Sequence, residues 1–326
     1  GCIKLNMPLG EPYIFRARNA AANAVTSIFS NQQRTLSDLR SKGLIKGLDS
    51  ESYKKHFNFG GEVLMGHLLY GTSGVQYDEG NCHPYMRRTN WTTRTLMMQG
   101  DMGITNLDAL HQKLISRGQH PVFGTAIQTL MEEVGYYLDE AHTDLYRGLR
   151  DKNVDGQEIP NIISSELDLF DIISKASRDW DGGYCLTGAV GNGDFFCLRD
   201  PNGIRHCHYI LTDEYLAIAS ERVPLMSVME VDEDEVKELP AGNMIVVKSD
   251  GQVSIREYTT PGEFKPCCFE DVYTSRGNDP VIYRERKALG ANLTEQVVAS
   301  LDGNFSKAAI TFIPNTAEVS YYGLLE

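Results

Sequence analysis

Long apolar runs are missing from the sequence, and basic residues are scarce relative to acidic ones. The longest apolar stretches, such as residues 244–247, are far shorter than the roughly 20 residues of a membrane-spanning helix. Lys and Arg number 31 against 44 Asp and Glu, which gives a net charge of −13. This excess of negative charge disfavours nucleic acids and anionic membranes as partners. We therefore expect neither kind of partner.

The cysteines lack any zinc-binding or disulfide pattern. There are seven of them, an odd number: Cys2, Cys82, Cys185, Cys197, Cys207, Cys267 and Cys268. Their spacing matches no known zinc motif and no small-domain disulfide framework. The start of the sequence also lacks the pattern of a secretory signal peptide. We expect reduced thiols, no metal site and a cytoplasmic protein.

The most distinctive stretch that is present covers residues 180–209. It contains two apolar runs of about five residues, separated by Gly-Asn-Gly-Asp, which predicts two paired strands joined by a turn. Residues 199–205, R-D-P-N-G-I-R, predict a second, rigid turn, because Pro201 restricts one backbone angle and Gly203 can adopt a positive φ. Turn signals determine shape and not chemistry, so a purely structural hairpin is an equally good interpretation of these residues alone.

Three further segments accompany this hairpin. Residues 66–74 read G-H-L-L-Y-G-T-S-G, residues 267–276 read C-C-F-E-D-V-Y-T-S-R, and residues 284–290 read R-E-R-K-A-L-G. Together with W-D-G-G-Y and R-D-P-N-G-I-R, they resemble, in order, the motifs of the glutamine amidophosphoribosyltransferases. Members of this family carry a class II glutaminase domain with an N-terminal nucleophile, followed by a phosphoribosyltransferase domain. Other class II amidotransferases lack the C-x-F-E segment, so the resemblance is specific.

The resemblance implies an α+β fold, a four-layer αββα sandwich of the N-terminal-nucleophile hydrolase type, followed by the first unit of an α/β phosphoribosyltransferase domain. We place the glutaminase-like domain at 1–262 and the beginning of the second domain at 263–326. Within them we predict a buried strand at 61–70, an amphipathic helix from Ile127 to about Leu149, a helix at 283–301 and a strand at 308–313.

Measured against the family, the sequence resembles a fragment that lacks both ends. The strand with the nucleophilic cysteine would lie upstream, and the loop that binds the sugar phosphate would lie downstream. Cys2 is a poor candidate for the nucleophile, because Gly1 precedes it and Ile3-Lys4-Leu5 follows it where the family has Gly-Ile-x-Gly. We therefore expect no catalytic residue within this sequence.

The resemblance also implies which positions line the glutamine pocket: Leu69, Tyr70, Thr72, Asp101, Met102 and Ala126. Leu69 stands where the family has an Arg that binds the substrate carboxylate, a role that needs a guanidinium. Asp101 and Met102 replace an Asn and a Gly that stabilise the oxyanion. Ala126 aligns with an Asp that holds the substrate amine. Tyr273 and Arg276 would mark the junction between the two domains.

Two functional hypotheses follow. In the first, the protein resembles an amidophosphoribosyltransferase, which makes 5-phosphoribosylamine from phosphoribosyl pyrophosphate and ammonia in purine synthesis, but its glutamine site is degenerate and this fragment is itself inactive. In the second, it is a non-catalytic scaffold or a regulatory paralogue. The family implies small-molecule substrates, Mg for the phosphoribosyltransferase half and a homo-oligomer. No cofactor is expected in this fragment, and an iron–sulfur cluster stays undecided.

Overall fold

The computed structural model describes residues 1–69, 79–122 and 124–326, without the side chains of Tyr273 and Thr274. The chain forms two compact units, residues 1–201 with 242–262 and residues 202–241 with 263–326. The chain passes from one unit to the other between residues 262 and 263, where the sequence suggested a domain limit. The assignment of 1–262 and 263–326 to two domains stays a prediction.

The described strands are β1 (Cys2–Ile3), β2 (Ile14–Phe15), β3 (Val63–Leu64), β4 (Tyr85–Arg87), β5 (Leu96–Ile104), β6 (Gly182–Val190), β7 (Phe195–Arg199), β8 (His208–Leu211), β9 (Leu216–Ala219), β10 (Lys237–Glu238), β11 (Asn243–Val247) and β12 (Val253–Glu257). The described α-helices are α1 (Ala24–Ser41), α2 (Ser50–His56), α3 (Leu107–Ser116), α4 (Ala126–Asp151), α5 (Ile159–Glu166), α6 (Leu169–Ala176), α7 (Arg222–Met229), α8 (Pro280–Ser300) and α9 (Glu318–Leu325). Among the described residues, no helix is both long and apolar enough to cross a membrane.

The first unit is built on a six-stranded antiparallel sheet with the order β12-β11-β7-β6-β5-β4. Strands β5 and β6 have nine residues each and pair along their whole length, from Leu96 opposite Val190 to Ile104 opposite Gly182. Gly182 has a φ of +134°, and a Cβ there would lie 2.0 Å from the carbonyl oxygen of Gly103. The close pairing at this end of the ladder therefore requires glycine.

The hairpin predicted within residues 180–209 is confirmed as β6 and β7. In its turn, Gly193 adopts a φ of +100° and its N–H donates to the carbonyl oxygen of Val190 at 2.8 Å. After β7, the N–H of Asp200 donates to the carbonyl oxygen of Tyr184 at 2.8 Å, and Gly203 has a φ of +63°. The positive φ expected at Gly203 is thus present.

Helices cover one face of the sheet. The apolar residues of α4 that recur at three and four residues are all buried: Ile127, Leu130, Met131, Val134 and Leu138. They share a core with residues of α6 and of the large sheet, including Ile173, Leu186 and Phe196. The amphipathic helix predicted from this spacing is therefore confirmed.

The opposite face of the large sheet carries a small sheet with the order β2-β1-β3. Ile3 and Ile14 of the small sheet pack with Met97 of β5. Successive strand residues point to opposite faces, so Met97 faces the small sheet while Leu96 and Met98 face the helices. This layering of helices and antiparallel sheets is an α+β arrangement, as predicted. Helices α1 and α2 contain no buried residue.

The buried strand predicted at residues 61–70 is wrong for the part that is described. Only Val63 and Leu64 form a strand there, paired with β1, and the Leu64 side chain is 63% exposed. Leu68 and Leu69 are exposed as well. An apolar run is buried only where another layer of the protein covers it. Of the described residues 61–69, Met65 is the only one that is fully buried in the core.

The second unit combines a small sheet with helices. Strands β10, β8 and β9 form an antiparallel sheet in that order, and α7 packs on it through Leu225, which contacts Ile210 and Val236. Residues Glu270–Thr274 form a π-helical turn that precedes α8. Helices α8 and α9 pack closely against each other, because each contributes a glycine, Gly290 and Gly323, to the contact.

The strand predicted at residues 308–313 is wrong. These residues have no regular secondary structure, and the Ile313 side chain is 83% exposed. A strand needs a neighbour to pair with its backbone, and within the described residues after 263 no strand forms. The helix predicted at 283–301 is confirmed as α8, which begins at Pro280 with the Asp279 side chain accepting the N–H of Val281.

Candidate ligand site at the end of strand β5

The neighbours of strand β5 differ between its first and second halves. Strand β6 pairs with all of it, whereas β4 pairs only with Leu96, Met97 and Met98. Beyond that point a side chain takes the place of a strand, since the N–H of Gly100 donates to Nδ1 of His83 at 3.4 Å. Polar side chains gather at this end of β5.

Two histidine rings stack beside Gly100. The centroids of His67 and His83 are 4.1 Å apart and their planes differ by 26°, while Tyr85 lies edge-on to His83. Burial lowers the pKa of His83 to about 3, and the neighbouring His67 lowers it further. Burial also lowers the pKa of His67, against a smaller opposite effect of Asp101. Both rings are therefore neutral at neutral pH.

Gln99 is a buried polar residue at the same place. Its side chain is only 7% exposed, and Nε2 donates to the carbonyl oxygen of Gly66 at 2.7 Å. Within the described residues, Oε1 of Gln99 and Nε2 of His67 are buried and have no hydrogen-bond partner. Leaving a buried polar atom unpaired costs about 1–3 kcal/mol, so such atoms call for a water or a ligand.

The predicted pocket residues fall on different surfaces. Asp101 lies two residues after Gln99 and therefore on the same face of β5, and its side chain is exposed. The side chain of Met102 lies on the opposite face, packed against the helical core. Leu69 is 56% exposed, and Ala126 is the half-buried first residue of α4. Tyr70 and Thr72 lie outside the described residues.

Cys2 is inaccessible in the described fold. It lies in β1 between Phe15 and Leu64, and its side chain is fully buried. Burial raises the pKa of its thiol, against a smaller opposite effect of a backbone hydrogen bond from Gly61. A buried thiol with a raised pKa is a poor nucleophile.

The donors at this site do not form a metal site. Among the described residues here, no three ligand atoms from His, Cys, Asp or Glu lie within 4.8 Å of one another. Instead, the ring of His83 accepts the hydrogen bond from Gly100, and the ring of His67 stacks on it. The site is suited to binding a small polar ligand by hydrogen bonds.

The chain is similar to several curated enzymes. It is 25% identical over 248 residues to the amidophosphoribosyltransferase of Pasteurella multocida, covering 73% of this chain and 44% of that protein. It is 29% identical over 165 residues to the amidophosphoribosyltransferase of Escherichia coli, covering 44% and 32%. No family model matches the chain.

The fold is similar to that of glutamine phosphoribosylpyrophosphate amidotransferase from B. subtilis, solved in complex with ADP and GMP. The two structures agree with a TM-score of 0.56 at 17% identity, over 79% of this chain and 48% of that one. Sequence and fold thus point to one family. This chain is a divergent relative of the amidophosphoribosyltransferases. It spans about half the length, or less, of the curated amidophosphoribosyltransferases that it matches.

The segment that resembles the domain junction of amidophosphoribosyltransferases is held by ion pairs within the second unit. Nε of Arg276 donates to Glu221 at 2.9 Å. Arg205, at the end of the R-D-P-N-G-I-R turn, donates to Glu270 at 2.6 Å. The side chain of Tyr273 lies outside the described ones, so its junction role stays a prediction.

Sequence reasoning missed three residues of this candidate site: His67, His83 and Gln99. His83 gives no signal in the sequence, because a lone histidine beside a proline in a loop is usually solvated. His67 and Gln99 were passed over in favour of their neighbours in the motifs. The signal in the sequence was a polar Gln99 that directly follows the apolar run Leu96-Met97-Met98.

Proposed function

We propose that the chain is the glutaminase-like part of a protein of the phosphoribosyl pyrophosphate amidotransferase type, and that this part no longer recognises glutamine. If the whole protein makes 5-phosphoribosylamine, it would then take the nitrogen directly from ammonia. The observation that carries the proposal is the pair of replacements at Leu69 and Asp101, whose side chains are both exposed.

The charges of glutamine support this proposal. Free glutamine carries a carboxylate and an ammonium, and each needs a partner when it is buried. Leu69 offers the carboxylate no hydrogen bond, and Ala126 offers the ammonium none. Each lost charged hydrogen bond is worth roughly 1.5–3 kcal/mol, so two losses weaken binding by about two to four powers of ten.

The chemistry of amide hydrolysis supports it as well. Attack on the amide builds negative charge on the carbonyl oxygen, which donors must stabilise. An ionised Asp101 at the position of the donor repels that charge instead. Removal of a single donor of this kind typically lowers the rate by about 10²–10³.

Calorimetric titration of glutamine tests the proposal directly. We expect no sub-millimolar binding to the unmodified chain, and a gain of affinity in the variant Leu69→Arg, Asp101→Asn, Ala126→Asp. The control is Leu68→Arg, Asp108→Asn, which makes the first two of these three charge changes at positions outside the predicted pocket. Sub-millimolar binding of glutamine by the unmodified chain would overturn the proposal.

The nitrogen source provides a second test. In the longest natural polypeptide that contains this sequence, we expect ammonium to support release of pyrophosphate from phosphoribosyl pyrophosphate and glutamine to support none. Activity with glutamine would contradict the proposal. Inactivity with both sources would favour the alternative of a non-catalytic scaffold.

A further inference from the structure

A cavity of about 380 Å³ lies beside the first half of α1. All the described side chains that line it are polar. Six of them are neutral, namely Asn19, Asn23, Thr26, Ser27, Ser30 and Asn31, and the seventh is Arg34. We propose that this cavity binds a small monocarboxylate that carries several hydroxyl groups, of the sugar-acid type. The cavity shares no residue with the predicted glutamine pocket, so the inference does not depend on the proposed function.

Helix geometry brings the lining residues together. Asn23, Ser27, Ser30 and Arg34 follow one another at intervals of three or four residues, which places their side chains along one face of the helix. Asn19 belongs to the segment before the helix, where its Oδ1 accepts a backbone N–H at 2.7 Å. One face of α1 and the segment that leads into it therefore form the walls of the cavity.

These polar side chains are available to a ligand. Helix α1 contributes no buried residue to the core, so they are not needed for packing. The side chain of Asn23 makes no hydrogen bond to the helix that it precedes. Arg34 is exposed and takes part in none of the ion pairs found among the described residues. The guanidinium and the amide can therefore turn to a molecule in the cavity.

The charge of this segment favours an anion. The chain has a net charge of −13, yet residues 12–37 contain no Asp or Glu and three arginines, Arg16, Arg18 and Arg34. Arg16 and Arg18 each donate to a backbone carbonyl oxygen at 3.3 Å, and such a bond does not neutralise their charge. Burial lowers the pKa of Arg16, and the charge of Arg18 lowers it further. This part of the first unit therefore attracts negative charge.

The lining of the cavity determines how much charge the ligand carries. Arg34 is the one charged residue among the described residues that line it. A guanidinium donates two parallel hydrogen bonds to a carboxylate, which matches one charge with one charge. A phosphate monoester carries about −1.5 to −2 at neutral pH, which a single guanidinium leaves partly unmatched. The cavity therefore suits a monocarboxylate better than a phosphate.

The neutral residues determine the rest of the ligand. Asn amides and Ser or Thr hydroxyls both donate and accept hydrogen bonds, and a ligand hydroxyl group does the same. Aromatic and aliphatic side chains are absent from the described lining, so an apolar ligand would gain little there. The volume lies near the lower end of the roughly 300–1,000 Å³ of small-molecule sites, which suits a molecule of the size of a hexose acid.

The test is a titration of the unmodified chain with sodium gluconate, followed through the backbone amide NMR signals of residues 23–34. Three matched probes are titrated at equal ionic strength. Glucose has the hydroxyl groups without the charge, acetate has the charge without the hydroxyl groups, and glucose 6-phosphate has the hydroxyl groups with a larger charge. We expect saturating shifts with gluconate. Glucose and acetate should bind at least about tenfold more weakly, and glucose 6-phosphate more weakly as well.

Matched variants complete the test. Arg34→Gln is expected to weaken gluconate binding at least about tenfold, because the charged hydrogen bonds are lost. Lys42→Gln removes an equal charge directly after α1 and should leave the affinity unchanged. Ser30→Leu fills the cavity and should abolish binding, whereas Ser37→Leu, about two turns further along the helix and outside the cavity, should not. All four positions lie outside the core, so the variants should fold, which circular dichroism checks.

Absence of saturation with gluconate would overturn the inference, and so would equal affinity for gluconate in Arg34→Gln and in the unmodified chain. Glucose bound as tightly as gluconate would show that the charge is not recognised. Acetate bound as tightly would show the same for the hydroxyl groups. Tighter binding of glucose 6-phosphate would contradict the assignment of a single charge.

Discussion

Gly290 of α8 lies directly against the backbone of Ser320 in α9. A Cβ on Gly290 would lie 1.7 Å from the carbonyl oxygen of Ser320. In return, a Cβ on Gly323 would lie 1.9 Å from the carbonyl oxygen of Lys287. The two helices therefore approach each other as closely as their backbones allow, and this contact depends on the absence of two side chains.

We expect Gly290→Ala to separate α8 from α9, because neither carbonyl group can move without the helix that contains it. Overpacking of this kind typically costs about 1–3 kcal/mol. Amide hydrogen exchange would detect it as faster exchange in both helices. The control is Gly148→Ala in α4, where a Cβ would meet nothing within 4 Å and should be neutral or stabilise by up to about 1 kcal/mol. Unchanged protection of α9 in Gly290→Ala would contradict the close contact.

Glu133 is a fully buried carboxylate held by Lys113 of α3 and by Arg117, the residue that follows α3. Its Oε2 lies 3.2 Å from Nζ of Lys113 and 3.2 Å from Nη1 of Arg117. We expect Glu133→Ala to destabilise the first unit by about 3–5 kcal/mol, because two charges lose their buried partner. Both tryptophans, Trp91 and Trp180, belong to this unit, so urea unfolding followed by tryptophan fluorescence measures the effect.

The control for Glu133 is Asp171→Ala. Asp171 pairs with Lys175 at 2.7 Å, but both side chains are about half exposed. Exposed pairs of this kind are worth well under about 1 kcal/mol. A similar loss of stability in the two variants would show that the burial of Glu133 does not determine how much its ion pairs contribute to stability.

His206 lies among carboxylates in the second unit. Its Nε2 is 2.9 Å from Oδ1 of Asp271, its Nδ1 is 3.7 Å from Oε1 of Glu238, and Glu270 lies near. Glu238, followed by Glu270 and Asp271, raises the pKa of His206 above its usual range, against the effect of burial. Its contribution to stability is therefore complete below the unfolded pKa of about 6.5 and is lost as the pH rises through the raised pKa.

We expect His206→Gln to remove this pH-dependent component from the second unit. The measurement is the opening free energy of the β8 amides, from hydrogen exchange, on both sides of the raised pKa. The control is His120→Gln, a substitution of an exposed histidine, which should keep the pH dependence of the unmodified chain. If the His206→Gln variant keeps the same pH dependence as well, the neighbouring carboxylates do not stabilise the protonated ring of His206.

His142 behaves in the opposite way. It is 1% exposed, both ring nitrogens lack a partner among the described residues, and the ring of Trp91 lies edge-on at 4.8 Å. Burial lowers its pKa to about 4, and Arg94 lowers it further, against a smaller effect of Asp139. The neutral ring thus stabilises the first unit above about pH 6.5, and this stabilisation is lost as the pH falls through about 4.

We expect His142→Phe to make the first unit less sensitive to acid, since phenylalanine keeps the aromatic packing and cannot bind a proton. Acid unfolding followed by tryptophan fluorescence measures this, and the midpoint should move to lower pH. His111→Phe in α3 serves as the comparison. An unchanged midpoint in His142→Phe would mean that His142 stays neutral throughout the transition.

The candidate site could be predicted from the sequence only in part. The motif around Gly66 and the segment around Asp101 are both recognisable, so their chemistry could be compared with that of a family. Their placement could not be predicted, because whether a polar atom is satisfied depends on neighbours from distant segments. Gln99 shows this, since its partner Gly66 lies 33 residues away.

What the sequence by itself determined is local. Apolar runs of about five residues on either side of a Gly-Asn-Gly-Asp turn determined β6 and β7, and apolar spacing at three and four residues determined α4, because these patterns reflect the geometry of a single element. What only the tertiary structure decided is which segments are covered. Residues 61–69 and 308–313 are apolar enough for strands, yet one forms only the two residues of β3 and the other forms none, since a strand exists only where another backbone is available to pair with it.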